Sequence, residues 1–355
     1  MIRMIWKNIR TDRIVYATGF ENDVQGNPLA KVWKNGILQN FTQNTGSMVR
    51  SSDTDWTVEN SMASSVFASG NDVYVTGYEQ LSRVVEGAFE FIARARLWKN
   101  GVMQNLANGN FNDVACSVFV LDDDVYVLVY EFSERSNQVI LKVWKNGQVE
   151  ITTEVTIQSS SEINPRSFSR IVNSIFVSNG VVYVAGRVSN QAKLWKNGEE
   201  ENLDSGMCAQ SVFVSGNDVY VAGYGSSGAK LWKNGKVENL TNGVSNANAF
   251  SVYVSGNDVY VAGHDGLGEG NAMLWKNGIV QDIPGTEDAI LFRSVFIKGD
   301  EVYLAGFVWA VQEVEPGSGI IPVIYAKATL WKNGKKLKLD VGKNIDSQLC
   351  SVFVQ

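Results

Sequence analysis

The chain has one histidine, three cysteines and five prolines among its 355 residues. A single histidine excludes a metal centre built from clustered imidazoles. It also leaves nucleophile–base catalysis only one base that titrates near neutrality, His264. Cys116, Cys208 and Cys350 lack metal-ligand spacing and, being odd in number, cannot all pair; they read as small buried thiols near strand starts. No run of about 18 apolar residues occurs, so no helical membrane span is expected. Charged residues are scarce at 19%, and 31 basic against 37 acidic side chains give a net charge of −6. No lysine or arginine stripe exists to track phosphates, so nucleic acid is not an expected partner. The opening residues MIRMIWKNIR are basic but carry no long apolar core or small-residue cleavage site, so no signal peptide is expected. The compartment stays open, because the mature form of an exported protein would read the same way.

What is abundant is glycine (33 residues) and apolar residues (45%), a strand-and-turn composition that can fill a core. Above all there is a repeat. The tetrapeptide W-K-N-G begins at Trp33, Trp98, Trp144, Trp195, Trp232, Trp275 and Trp331. A V-Y motif places its tyrosine at 16, 74, 126, 183, 220, 260 and 303. A third motif, S-[VI]-[FY]-[VAI], starts at Ser65, Ser117, Ser174, Ser211, Ser251, Ser294 and Ser351.

The cleanest copy, residues 211–240, reads as four strands: SVFV (A), VYVAG (B), AKLW (C) and KVENL (D). S-G-N-D and K-N-G are the tight turns. Asn-Gly after an alternating apolar run is a strong hairpin signal, since both turn residues need positive φ. Seven four-stranded antiparallel sheets arranged radially bury their faces against one another, so an all-β, seven-bladed β-propeller is expected. The tryptophans read as packing between blades. The expected domain is the whole chain, 1–355. Blade 1 comprises 351–354 plus 13–41, and blade 2 comprises 65–106. Blades 3 to 7 are 117–155, 174–203, 211–240, 251–283 and 294–339. The chain opens on a B strand (13–19) and closes on an orphan A strand (351–354), so the last strand is expected to complete the first blade and remove two open edges.

The repeat resembles that of bacterial tandem-repeat proteins whose copies read SVFVSGNDVYVAG…LWKNG, many of them exported or surface-associated. The resemblance spans residues 13–354. It implies a propeller and a surface setting, and it carries over no catalytic residue. The S-x-D-x-G-x-x-W box of sialidase-type propellers, the kelch double glycine and the W-D dipeptide of WD40 blades are absent.

The A–B and C–D turns change little between copies, whereas the B–C and D–A connections vary. Strand alternation puts the variable connections on one end, where binding residues are expected. Long B–C hairpins are expected in blades 2, 3 and 7, turning near Glu86, Arg135 and 316–319. Long D–A connections cover 41–63 and 156–173. A wall over blades 7, 1, 2 and 3 beside a low floor over 4, 5 and 6 predicts an off-axis cleft. Candidate ligand-binding residues are Trp56 and Trp309, which lie outside the repeat, Arg135 at a hairpin tip, and His264. Asn173, Gln210, Phe250 and Arg293 join them, because each immediately precedes a strand-A serine at the channel mouth. No cofactor, metal or catalytic residue is assigned, and no charged pair is seen to recur in the motif. Three functions remain: a monomeric, non-enzymatic module binding a glycan or protein; a polysaccharide hydrolase or lyase using cleft carboxylates; or a purely structural repeat.

Overall fold

The computed structural model describes residues 13–40, 48–51, 54–106, 112–133, 138–156, 172–241, 243, 246–266, 270–312 and 321–355. Seven antiparallel sheets form the blades of a closed propeller. Strand A, innermost in each, is Ser347–Val354, Thr54–Ser69, Asn112–Leu121, Val172–Ser178, Cys208–Ser215, Asn248–Ser255 and Ala289–Lys298 for blades 1 to 7. Blade 1 closes the ring: its strand A, the last of the chain, pairs with Val15–Asn22, aligning Val15 with Val354 and Thr18 with Ser351. Blade 2 is five-stranded, because Met48–Ser51 folds back onto the extended start of its strand A. Among the described residues no helix is long and apolar enough to cross a membrane.

The W-K-N-G turn shows why its letters recur. In all seven copies the asparagine adopts φ of 48–52° and the glycine φ of 78–87°, as a two-residue hairpin turn requires. The asparagine then latches the C–D turn to strand B. In blade 5 the Val219 N–H donates to Asn234 Oδ1 (2.8 Å), and the Asn234 N–H donates back to the Val219 carbonyl (2.9 Å). The equivalent side-chain bond forms at Val15, Val73, Val125, Val182, Val259 and Val302.

Six of the seven repeat tryptophans are at most 1% exposed and sit between blades. Trp144 departs from the expected burial and is only half-buried. Its strand partners, Val127 and Val149, are those of the other copies, but a register shift follows between Val143 and Trp144 and the D strand runs unusually long, Gln148–Thr156.

A charged pair does recur, contrary to expectation. The strand-B aspartate and the W-K-N-G lysine meet at the constant-turn end: Asp72–Lys99 (2.7 Å), Asp124–Lys145 (2.9 Å), Asp218–Lys233 (2.8 Å) and Asp258–Lys276 (2.7 Å). Glu301–Lys332 repeats the arrangement in blade 7. These pairs are solvent-exposed, so each adds little to stability.

Candidate functional site at the axial mouth

Seven β-bulges build the mouth of the central channel. In every blade the residue before the strand-A serine is skipped by the ladder: Cys350, Ser64, Cys116, Asn173, Gln210, Phe250 and Arg293. A bulge leaves its extra residue unpaired and re-aims it. Here all seven line one polar cavity of about 150 Å³ on the axis, together with the seven serines that follow them. The bulge also explains the glycine of VYVAG. At Gly19, Gly77, Gly223, Gly263 and Gly306 an added Cβ would lie 1.9–2.1 Å from the carbonyl oxygen two residues ahead of the bulge.

Two belts hold this mouth in shape. The serine hydroxyl of one blade accepts the N–H of the residue after the serine in the next: Val118 to Ser65 (3.5 Å), Ile175 to Ser117 (3.3 Å), Val212 to Ser174 (3.3 Å) and Val252 to Ser211 (3.2 Å). Val295 to Ser251 and Val352 to Ser294 (both 3.2 Å) continue the series. Two residues further along strand A, seven aromatic rings form a closed belt through Phe67, Phe119, Phe176, Phe213, Tyr253, Phe296 and Phe353, with neighbouring centroids 4.5–5.2 Å apart. Tilted and edge-on contacts at such distances are attractive beyond their buried area. Neither belt was anticipated from the sequence, although the F of SVFV and the serine before it mark both.

The structure brings four candidates, Asn173, Gln210, Phe250 and Arg293, into the axial cavity. Asn173 Nδ2 donates to the Ala209 carbonyl (2.8 Å), and Gln210 Nε2 lies 3.5 Å from Cys208 Sγ. The guanidinium of Arg293 stands over the Phe250 ring (5.6 Å) and donates to Gln348 Oε1 (3.3 Å). His264 joins this group, stacked on Phe250 at 5.6 Å. Its Nδ1 accepts the Gly266 N–H (3.0 Å), and its Nε2 lies 3.0 Å from Asn248 Nδ2. Burial lowers the pKa of His264; Asp265 pulls it up and Arg293 pushes it down further. The imidazole is therefore neutral at physiological pH.

The remaining candidates stand apart. Trp56, expected to offer an exposed ring, is corrected: it is 6% exposed and packs with Val58, Leu81 and Ile92 inside the blade 2 hairpin. Arg83 covers its ring at 4.6 Å. Trp309 is exposed on the blade 7 hairpin and touches Phe307 edge-on. Arg135 lies outside the described residues, as do residues 316–319 and most of the 156–173 connection. The blade 2 hairpin turns at Glu86–Gly87 (φ 51° and 82°).

Above the mouth, blades 1 to 3 carry ion pairs between strands B and C whose carboxylates are buried: Glu21–Lys31 (3.7 Å), Glu79–Arg96 (2.7 Å) and Glu131–Lys142 (2.6 Å). Asp113 sits between blades 2 and 3, 1% exposed, and accepts the Ala95 N–H at 2.7 Å. Burial raises its pKa from 3.8 to about 6; the Ala95 bond, Arg96 and Arg94 oppose the rise, and Glu131 adds to it. Across that window the folded protein keeps a proton the unfolded chain has released, so stability falls as pH rises. Asp113→Asn preserves the acceptor for Ala95 and removes the buried charge. The variant should be more stable than the parent by about 1–3 kcal/mol near neutral pH, with the difference vanishing toward pH ~4. Thermal unfolding at the two pH values measures this. A variant less stable near neutrality would mean that attraction to Arg94 and Arg96 outweighs burial.

Two larger grooves open at the opposite, constant-turn end. One of about 820 Å³ lies in the seam of blades 7 and 1, lined by Arg13, Glu301 and Lys332. The other, about 540 Å³, lies between blades 4 and 5, lined by Asn197, Asn217 and Asn234. Among the described residues no group of three or more His, Cys, Asp or Glu side chains is arranged to hold a metal ion.

No family model and no curated protein sequence matches the chain. Solved structures resemble it in outline. A Bacteroides fragilis protein provisionally described as a 6-phosphogluconolactonase is 11% identical, covering 97% of this chain and 98% of its own, with a TM-score of 0.45. The computationally designed Ika8 protein is 14% identical over 70% of this chain and 94% of its own, TM-score 0.35. A Bombyx mori GH32 β-fructofuranosidase, BmSUC1, is 12% identical over 84% of this chain and 75% of its own, TM-score 0.28. At these identities and scores they assign no residue and no activity.

Proposed function

We propose that the protein is a monomeric, non-enzymatic binding module that takes its ligand, a glycan or protein group, at the axial end where the variable loops emerge. The observation that supports this most is the convergence of seven bulge residues of unlike chemistry on one cavity. A scaffold needing only closure has no use for six different side-chain types at seven equivalent positions, whereas a binding site does. The repeat's likeness to bacterial surface-associated propellers favours the same reading. A glycan array and a pull-down with the full chain test it. Phe250→Ala and Arg293→Ala should weaken the captured interaction at least tenfold, since binding energy concentrates in aromatic and arginine anchors. Asn217→Ala and Lys233→Ala, at the other end, should leave it intact. Loss from the second pair alone would move the site to the constant-turn grooves.

The polysaccharide hydrolase or lyase is the second reading, favoured by the buried carboxylates Glu79, Asp113 and Glu131 above the mouth. Glu79 and Glu131 are already engaged by Arg96 and Lys142, and Asp113 by a backbone amide, so they serve packing better than proton transfer. Reducing-end assays on the recovered glycan separate the two readings.

A further inference from the structure

The chain holds ten Asn-Gly dipeptides, in which the glycine carries no side chain to hinder reaction between the asparagine amide and the backbone. Seven are the W-K-N-G turns, Asn108 and Asn242 lie outside the described residues, and the tenth is Asn179-Gly180. The seven repeat asparagines are latched, since each Oδ1 accepts a strand-B N–H. Four are latched twice, because Nδ2 also donates to the strand-B aspartate: Asn100 to Asp72, Asn146 to Asp124 and Asn234 to Asp218 (each 2.7 Å), and Asn277 to Asp258 (2.9 Å). Asn179 differs. It turns blade 4 from strand A to strand B, where blades 2, 5 and 6 read S-G-N-D. Asn179 and Gly180 are both exposed, with φ of 51° and 73°. Among the described residues no group bonds to the Asn179 amide, and an atom added at Gly180 would meet nothing within 4 Å.

We propose that Asn179 is a modification site that the fold leaves open to spontaneous deamidation, while the same fold protects the repeat asparagines. The Gly180 backbone nitrogen, deprotonated by solvent base, attacks Asn179 Cγ. A C–N bond forms and closes a succinimide ring, the Cγ–Nδ2 bond breaks, and ammonia leaves with a proton returned by solvent. Water then adds to either ring carbonyl and opens the ring to aspartate or isoaspartate. The net change is amide plus water to carboxylate plus ammonium, with nothing oxidised or reduced. The attack requires the asparagine side chain to swing toward the following nitrogen. At Asn179 that swing breaks no hydrogen bond within the described structure. In a W-K-N-G turn it strips a strand-B N–H of its acceptor, which slows the reaction roughly tenfold for a single latch. The product places a carboxylate two residues from Val181, which lines the groove between blades 4 and 5 together with Glu199 and Glu201. Isoaspartate also lengthens the backbone of a turn whose flanking residues, Ser178 and Val181, are paired.

Peptide mapping by mass spectrometry, after the full chain has aged in mildly alkaline buffer, tests the proposal site by site. In the folded protein the Asn179 peptide should convert at least tenfold faster than the peptides of the doubly latched Asn100, Asn146, Asn234 and Asn277, and it should yield both aspartate and isoaspartate. The chain unfolded in guanidinium chloride is the control. There the latches are gone, and the rates at these Asn-Gly sites should converge. Asp218→Ala removes one of the two latches on Asn234 and should speed its conversion severalfold while leaving Asn179 unchanged. Asp258→Ala makes the same test at Asn277 if the first variant does not fold. Equal rates at Asn179 and the doubly latched asparagines in the folded chain overturn the proposal. So does an excess at Asn179 that persists in guanidinium chloride, because the local sequence and not the fold would then select the site.

Discussion

Deleting residues 351–355 is expected to abolish cooperative folding of the whole chain, not merely fray its end. The deletion removes four cross-strand pairs with blade 1 and strips Val352, Phe353 and Val354 from their packing. Three apolar side chains at roughly 1.5–3 kcal/mol each amount to about 5–9 kcal/mol. A typical domain is stable by only about 5–15 kcal/mol, so little remains. The aromatic belt loses the ring that joins Phe296 to Phe67, and two sheet edges open to other chains. Scanning calorimetry and light scattering should show a broad, weak transition and aggregation. A synthetic peptide of the deleted sequence should restore the sharp transition in trans. An unchanged transition in the truncated protein would mean the ring is held elsewhere.

The second large effect is expected at Trp232. The ring is fully buried, its Nε1–H donates to the Asp204 carbonyl at 3.0 Å, and it packs among Leu203 and Ala192 of the neighbouring blade and Val212 of its own. Its edge presses so closely on Gly206 that a Cβ there would sit 2.7 Å from Cζ2. Trp232→Ala should therefore cost about 3–5 kcal/mol, read as a lower urea midpoint at constant slope. Trp144→Ala, at the half-buried copy, should cost distinctly less. Equal losses at the two positions would mean burial is not what the tryptophans provide.

The ring of blades was legible because its signals are local and periodic. Asn-Gly turns announce themselves by backbone conformation, and alternating strands by their period of two. The axial residues were legible for a related reason: each stands at a fixed offset from a repeated serine. What escaped the sequence depends on distances that loops change. The buried pairs Glu79–Arg96 and Glu131–Lys142 join facing strands, but their separations along the chain are 17 and 11 residues, because the hairpins between them differ in length. No fixed spacing reveals them. Trp56 was misplaced for another reason. Its alternation with Val58 continues strand A, but a register shift between Val58 and Asn60 breaks the period, so the segment reads as a polar loop. The off-axis cleft was inferred from loop lengths alone, and the tips that would frame it at 134–137 and 313–320 lie outside the described residues.

One thiol offers a direct test of ligand binding at the axial mouth. Cys116 and Cys208 are buried, and burial raises the Cys208 pKa to about 11, whereas Cys350 is partly exposed and lines the axial cavity. N-ethylmaleimide should therefore label Cys350 and fill the mouth. Binding of the captured ligand should be lost on labelling the parent chain and retained after the same treatment of Cys350→Ser. Undiminished binding by the fully labelled parent would place the site away from the axis.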